Sequence, residues 1–155
     1  MIKTFYLMRH GQTRFNVQGR IQGMCDSPLT EERIEQAKAA RRYFEQEGIS
    51  FTRVYSSTQE RACDTAELAT GRVDYIRLKG IKEMDFGAYE AHQEYLNPPV
   101  HHEDGSDYRD FFVRYGGEST AQVYERMERT IREVLEASKE DETLLFVSHG
   151  GAIMR

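Results

Sequence analysis

The alternation of apolar and polar positions along the chain divides it into strands and helices. Short apolar runs with β-branched and aromatic residues predict buried strands at residues 2–8, 51–55, 73–78 and 143–148. The last run, TLLFVS, is continuously apolar, which is typical of a central parallel strand covered on both faces. The pattern therefore predicts a sheet whose strands are separated by longer polar and amphipathic segments.

Helices are predicted between these strands from capping residues and from apolar positions three or four residues apart. The first begins after Thr30, a favourable N-cap followed by two glutamates, and ends at Gly48. The second begins at Ser57, whose spacing from Glu60 is that of a capping box, and it runs to Gly71.

A third helix is predicted after Ser119, which forms another capping box with Gln122. Residues 85–117 lack clear periodicity and are interpreted as a long excursion from the regular structure. Because strands and helices alternate, we expect an α/β fold, a three-layer α/β/α sandwich with a mostly parallel central sheet. Residues 1–155 fit one domain.

Composition and charge describe an ordinary protein with no global preference for a polyanionic partner. The chain is 39% hydrophobic and 30% charged, with a net charge of -5, so neither nucleic acid nor an anionic membrane is favoured. No apolar run reaches the roughly 18–20 residues that span a membrane. Cys25 and Cys63 do not form a disulfide framework. We therefore expect a reduced, cytoplasmic protein.

Four cationic or titratable side chains follow the predicted strands. Arg9 and His10 come after the first strand, Arg61 lies one turn into the helix after the second, and His149 follows the last. The carboxyl ends of parallel strands converge on one crevice, so these groups are expected to meet there. Because a guanidinium can donate to two oxygens of one phosphate, the cluster predicts a phosphate site.

Four sequence motifs resemble those of the histidine phosphatase superfamily, also called phosphoglycerate-mutase-like. They are LMRHGQTRFN at 7–16, SSTQERACDTA at 56–66, EMDFGAYE at 83–90 and VSHGG at 147–151. The motifs stand in the family's order, and the resemblance extends from residue 2 to the end of the chain. It implies the same sandwich fold and phosphoryl-transfer chemistry without a metal or another cofactor.

The resemblance also implies a role for each matching residue. His10 would attack phosphorus and become a phosphohistidine. Arg9, Arg61 and His149 would hold the phosphoryl oxygens. Glu83 would act as general acid and then as general base.

Further residues are expected around this centre. Asn16 would add a neutral donor, Gln22 and Gly23 would line the mouth of the pocket, and Gly150 in the last motif is placed with them as substrate-binding. Asp85 or Glu90 could replace Glu83 as the acid/base group.

Two other segments allow more than one interpretation. The polar run at 101–104, HHED, is better explained as a solvated loop than as a metal site, since adjacent residues chelate one ion poorly. The aromatic residues at 108, 111, 112 and 115 could cover the pocket as a lid or could pack in the core.

The motif around Glu83 bears on the reaction. Phosphoglycerate mutases of this family tend to follow the glutamate with Arg-x-Tyr-Gly, whereas this chain has Met-Asp-Phe-Gly, which resembles the phosphatase branch. We therefore expect hydrolysis of a small phosphorylated substrate of open identity. The alternatives are a phosphoglycerate-type mutase and a phosphate- or phosphoprotein-binding module with little turnover.

The length of the chain differs from the family pattern. Relatives carry another helix and usually a further strand after the last motif, whereas this chain ends at Arg155. We therefore expect a shortened domain with an exposed apolar face, which association into a homo-oligomer could cover.

Overall fold

A parallel sheet of four strands organises the fold. The computed structural model describes residues 4–97 and 108–153. The strands of this part are β1 (Phe5–Arg9), β2 (Arg53–Ser57), β3 (Ile76–Leu78) and β4 (Leu144–Ser148). They are all parallel and follow the order β1-β4-β2-β3, so β4 lies inside the sheet as its apolar sequence predicts.

Helices connect the strands and cover the sheet. They are α1 (Arg14–Val17), α2 (Glu31–Gln46), α3 (Glu60–Thr70), α4 (Thr120–Ala137) and α5 (Gly150–Ile153). Within the described ranges, none of them is both long and apolar enough to cross a membrane. The short helix α1 is absent from the predicted elements.

Alternate residues of β4 bury opposite faces of the sheet. Leu144 and Phe146 belong to one apolar cluster that includes residues of α4, whereas Leu145 and Val147 belong to a second cluster with residues of α3. Each of these side chains is essentially inaccessible, and such burial stabilises the fold by roughly 1.5–3 kcal/mol per side chain. Helices therefore lie on both faces, and the predicted α/β fold is confirmed.

Two of the three predicted helix starts have the expected caps. The Thr30 hydroxyl accepts the backbone N–H of Arg33 at the start of α2. At the start of α4, Ser119 and Gln122 form the reciprocal capping box. These local signals are reliable here because both partners lie within one helical turn.

The predicted start of α3 is wrong. Ser57 is the last residue of β2, and the N-cap of α3 is Gln59, whose side chain makes no capping hydrogen bond. The carboxylate of Asp26 caps the helix instead, because its Oδ2 accepts the N–H groups of Glu60 at 2.5 Å and Arg61 at 3.4 Å. A loop 34 positions earlier in the chain thus supplies the cap.

The strand boundaries are set by pairing rather than by apolarity alone. β2 lies two residues later than predicted because residues 53–56 pair with β4. β3 contains only the last three of the six residues predicted, and Val73 before it is 80% exposed. Two predicted segments extend beyond the described residues. The parts outside are residues 2 and 3 of the strand predicted at 2–8 and residues 98–107 of the predicted excursion.

The excursion is confirmed in its described parts as irregular chain with short 3-10 turns. Phe112 at its centre is fully buried and packs edge-to-face against Phe86, Tyr89, Tyr108 and Phe111 at ring distances of 5.0–5.4 Å. These aromatic residues therefore form part of the core beneath the excursion.

Candidate functional site

Two histidines and one arginine meet at the carboxyl ends of the strands, as predicted. The ring centroids of His10 and His149 are 4.9 Å apart. The Nε atom of Arg61 donates to Nε2 of His10 at 3.4 Å. All three side chains are buried, and Arg61 is inaccessible to solvent.

The ring of His10 is held in one tautomer. Its Nδ1 lies 2.6 Å from the carbonyl oxygen of Gly11, which can only accept, so Nδ1 carries the proton. The lone pair therefore lies on Nε2, towards Arg61. Burial lowers the pKa of His10 to about 4, and the positive charges of Arg61 and Arg9 act in the same direction. The ring is consequently neutral near pH 7, as a nucleophile must be.

His149 presents an unpaired nitrogen inside the site. Its Nε2 lies 2.7 Å from the hydroxyl of Ser57, and that hydroxyl also accepts the backbone N–H of Gln59. The Ser57 hydroxyl then has its proton free to donate to Nε2, which leaves the proton of His149 on Nδ1. Nδ1 is buried and has no hydrogen-bond partner among the described residues. Burial and the charge of Arg61 hold the pKa of His149 well below its usual value.

Arg61 is fixed by the loop that precedes α2. Its Nη1 donates to the carbonyl of Cys25 at 2.8 Å and to the carboxylate of Asp26 at 3.0 Å, while Nη2 donates to the carbonyl of Gly23 at 2.8 Å. The two-pronged end of the guanidinium, which the sequence assigns to phosphate, is thus occupied by protein oxygens. Nε is the donor that faces His10.

Gly23 supports this arrangement rather than lining the mouth of the pocket. Its carbonyl accepts from Arg61, and its N–H donates to both carboxylate oxygens of Glu90 at 3.0 and 3.1 Å. A Cβ atom at this position would come 2.0 Å from the carbonyl oxygen of Met84. A larger residue would therefore displace the backbone that holds Arg61.

Asn16 and Gln22 lie where a neutral donor and a pocket wall were predicted. The side-chain oxygen of Asn16 accepts the N–H and hydroxyl of Thr13 at 3.0 and 3.1 Å, which leaves its NH₂ group as a donor. Gln22 donates to the same hydroxyl at 2.8 Å. Asn16 lines both the cavity that contains His10 and the cavity that contains Glu83, so it joins the two.

Arg9 lies at the exposed side of the site, beside Gly150. A Cβ atom at Gly150 would come 2.7 Å from Cζ of Arg9, so glycine leaves the space that the guanidinium occupies. Among the described residues, the guanidinium of Arg9 has no hydrogen bond or ion pair. Gly150 therefore serves to place Arg9, and Arg9 remains available to an anion in the cavity that it lines with His10.

Glu83 is buried and lines the second of the two cavities that meet at Asn16. Its Oε2 accepts the N–H of Gly151 at 3.0 Å and its Oε1 accepts the N–H of Met84 at 2.8 Å. The backbone N–H of Glu83 donates to the side chain of Gln59, which also donates to the carbonyl of Gly23. Gln59 thus ties the segment of Glu83 to the loop that holds Arg61.

The two alternative carboxylates have other partners. Asp85 accepts the N–H of Gly87 at 2.8 Å. Glu90 accepts the N–H groups of Gly23 and Cys25, and burial raises its pKa. Neither carboxylate lines the cavity that contains Glu83. The geometry therefore favours Glu83 among the three.

Arg126 on α4 holds the backbone next to Glu83. It donates to the carbonyl oxygens of Lys82 at 2.7 Å and Glu83 at 2.9 Å, and it forms a two-point ion pair with Glu118. This pair is not predicted from the sequence, and neither are the roles of Asp26 and Gln59 or the contact of Ser57 with His149. Ser57 belongs to a recognised motif, but its partner lies 92 positions away, so local spacing gives no signal for the contact.

No group of three or more His, Cys, Asp or Glu side chains within the described ranges could hold a metal ion. The polar run at 101–104 lies outside those ranges.

Comparison with known proteins gives consistent matches. A sequence profile of the histidine phosphatase superfamily (branch 1) matches residues 5–155. A 6-phosphofructo-2-kinase/fructose-2,6-bisphosphatase of Caenorhabditis elegans is 33% identical over 150 residues, which are 95% of this chain and 32% of that protein. A probable phosphoglycerate mutase of Proteus mirabilis is 40% identical over 90 residues, 57% of this chain and 41% of that protein. This chain thus spans less than half of either relative.

A solved structure has the same fold over nearly all of the chain. The crystal structure of a putative alpha-ribazole-5'-P phosphatase from Escherichia coli superposes with a TM-score of 0.78 and 27% identity. The superposition covers 99% of this chain and 76% of the other.

Proposed function

The chain belongs to branch 1 of the histidine phosphatase superfamily, and we propose that it hydrolyses phosphate monoesters through a phosphohistidine on His10, without a metal ion. One observation carries the proposal. The carbonyl of Gly11 fixes the proton of His10 on Nδ1, and burial beside Arg61 keeps the ring neutral. A lone pair on Nε2 is then available for attack on phosphorus.

The first step transfers the phosphoryl group to His10. The Nε2 lone pair forms the N–P bond while the bond from phosphorus to the ester oxygen breaks. Glu83 gives its proton to that oxygen, so that an alcohol rather than an alkoxide leaves. In the second step a water oxygen attacks phosphorus, the N–P electrons return to Nε2, and Glu83 takes the proton of the water. Inorganic phosphate is released.

Four donors would hold the phosphoryl oxygens during both steps. They are the guanidinium of Arg9, Nε of Arg61, the NH₂ group of Asn16 and Nδ1–H of His149. The orphaned Nδ1 of His149 supports this assignment, because a buried donor without a partner is costly unless a ligand supplies one. One well-placed donor of this kind can lower the barrier by about 3–4 kcal/mol.

A mutase is the second candidate, and the similarity to a probable phosphoglycerate mutase favours it. It would use the same phosphohistidine and would return the phosphoryl group to a hydroxyl instead of water. The product distinguishes the two, because a phosphatase releases inorganic phosphate with every turnover. A module that only binds phosphate would release none.

The test is an assay of phosphate release from an aryl phosphate in the presence of a chelator. His10→Ala should lower kcat by about 10⁴-fold or more, since removing a nucleophile that acts with its partners as a unit abolishes nearly all chemistry. His92→Ala is the matched control, because that ring is exposed and, among the described residues, only the backbone N–H and carbonyl of His92 make hydrogen bonds. Undiminished turnover in His10→Ala would overturn the nucleophile, and loss of activity with the chelator would overturn metal independence.

A further inference from the structure

The cavity beside Glu83 is the place for the group that leaves with the ester oxygen. This step rests on the proposed function, since Glu83 must reach that oxygen to protonate it. The cavity has a volume of about 360 Å³ and meets the phosphate-binding part at Asn16. The side chains that line this cavity therefore determine which leaving alcohols the site accepts.

One wall of the cavity is apolar and rigid. It contains Ile21, Phe86 and Tyr108. The rings of Phe86 and Tyr108 pack edge-to-face on the fully buried Phe112, at 5.0 and 5.3 Å between centroids. A ring held in this way keeps its orientation, so the wall suits a flat or cyclic group.

Uncharged amide side chains also line the cavity. They belong to Asn16, Gln22 and Asn97, and the Gln22 amide is already bonded to the hydroxyls of Thr13 and Ser27. The amide nitrogen of Asn97 donates to the hydroxyl of Tyr108 at 3.5 Å, and its buried carbonyl oxygen has no partner among the described residues. A buried acceptor without a partner can accept a hydrogen bond from a hydroxyl or N–H group of a ligand.

The charged side chains that line the described cavity are both acidic. They are Glu83, which becomes a carboxylate once it has given its proton, and Glu94. Glu94 is exposed, and its carboxylate has no hydrogen bond or ion pair among the described residues. An anionic leaving group would therefore meet like charge.

We propose that the cavity selects phosphate monoesters whose leaving group is uncharged and ring-shaped, with hydroxyl or amide groups, such as a sugar or a nucleoside. The ring of the leaving group lies against Phe86 and Tyr108, and its hydroxyl or N–H donors reach the side-chain carbonyl oxygen of Asn97. A leaving group with a carboxylate or a second phosphate is disfavoured by Glu94.

The test compares two aryl phosphates of nearly the same shape, 4-carbamoylphenyl phosphate and 4-carboxyphenyl phosphate. The first carries an amide where the second carries a carboxylate. We expect kcat/KM to be about 10-fold higher for the amide ester, because the negative charge of Glu94 repels a carboxylate on the leaving group. Equal values, or a preference for the carboxylate ester, would overturn the proposal.

Variants at Glu94 distinguish a preference caused by the cavity from a difference in the intrinsic reactivity of the two esters. Glu94→Lys should lower the amide-to-carboxylate ratio about 10-fold, and Glu94→Gln should lower it less. Glu140→Lys makes the same change in net charge on an exposed turn before β4, at the end of the sheet away from His10, and should leave the ratio as in the parent chain. A ratio unchanged in Glu94→Lys would contradict the role of Glu94.

Equilibrium binding keeps the inference testable if neither ester is hydrolysed. Absence of turnover would count against the proposed function alone. Calorimetric titration of the same two esters then reports the cavity directly. Tighter binding of the amide ester, with the preference reduced in Glu94→Lys, supports the inference, and equal binding of the two esters refutes it.

Discussion

At the scale of single residues, His10 is subject to opposing influences on its protonation. The hydrogen bond from Nδ1 to the carbonyl of Gly11 favours the charged ring, whereas burial and the neighbouring Arg61 favour the neutral one. Burial is the largest of these influences, and the pKa falls to about 4. The arginine that would stabilise the phosphoryl group therefore also keeps the nucleophile deprotonated.

The protonation of His10 can be followed by NMR of its imidazole as the pH is lowered. The ring should stay neutral from pH 8 to about 5 and take up its proton only as the pH approaches about 4. Because the unfolded chain binds this proton near 6.5, folding stability should fall as the pH drops from 6.5 towards 4. Titration of the His10 ring near 6.5 would contradict the assigned environment.

At the scale of elements, the ends of β1, β2 and β4 determine what the site contains. Their positions could be predicted to within about two residues, because apolar runs and glycine turns are local signals. The hydrogen-bond partners of the residues at those strand ends could not be predicted. Ser57 has the spacing of a helix cap, yet its hydroxyl bonds to His149, and the cap of α3 comes from Asp26 in a distant loop.

A substitution at the end of β2 tests this contact. Ser57→Ala should lower the free energy of unfolding by about 1–3 kcal/mol, because Nε2 of His149 would be left buried and unpaired. Phosphate release should fall as well, since His149 loses the bond that orients it.

The neighbouring residue supplies the control. Ser56 is also fully buried on β2, but within the described part of the chain its hydroxyl bonds only to the sulfur of Cys63, at 3.7 Å. Urea unfolding should show a smaller loss for Ser56→Ala. Equal losses for the two variants would mean that the Ser57–His149 bond adds nothing to stability.

At the scale of the whole molecule, the site is assembled from all three layers. The sheet supplies His10 and His149, the loop before α2 fixes Arg61, and Arg126 on α4 holds the backbone of Glu83. The sequence motifs identify the residues at the centre. They do not reveal the supports, because each support joins segments far apart in the chain, and the excursion that forms the second cavity has no periodicity from which to predict its path.

The most direct test of the phosphohistidine mechanism is the trapping of the phosphorylated chain. An aryl phosphate is mixed with the protein and a chelator, the reaction is stopped with alkali within milliseconds, and the site of phosphorylation is determined by mass spectrometry and NMR. Because Nδ1 of His10 is bound to Gly11, the phosphoryl group should appear on Nε2 of His10 and be absent from His10→Ala. Steady turnover with no phosphohistidine, or a phosphoryl group on another residue, would contradict the assignment of His10 as the nucleophile.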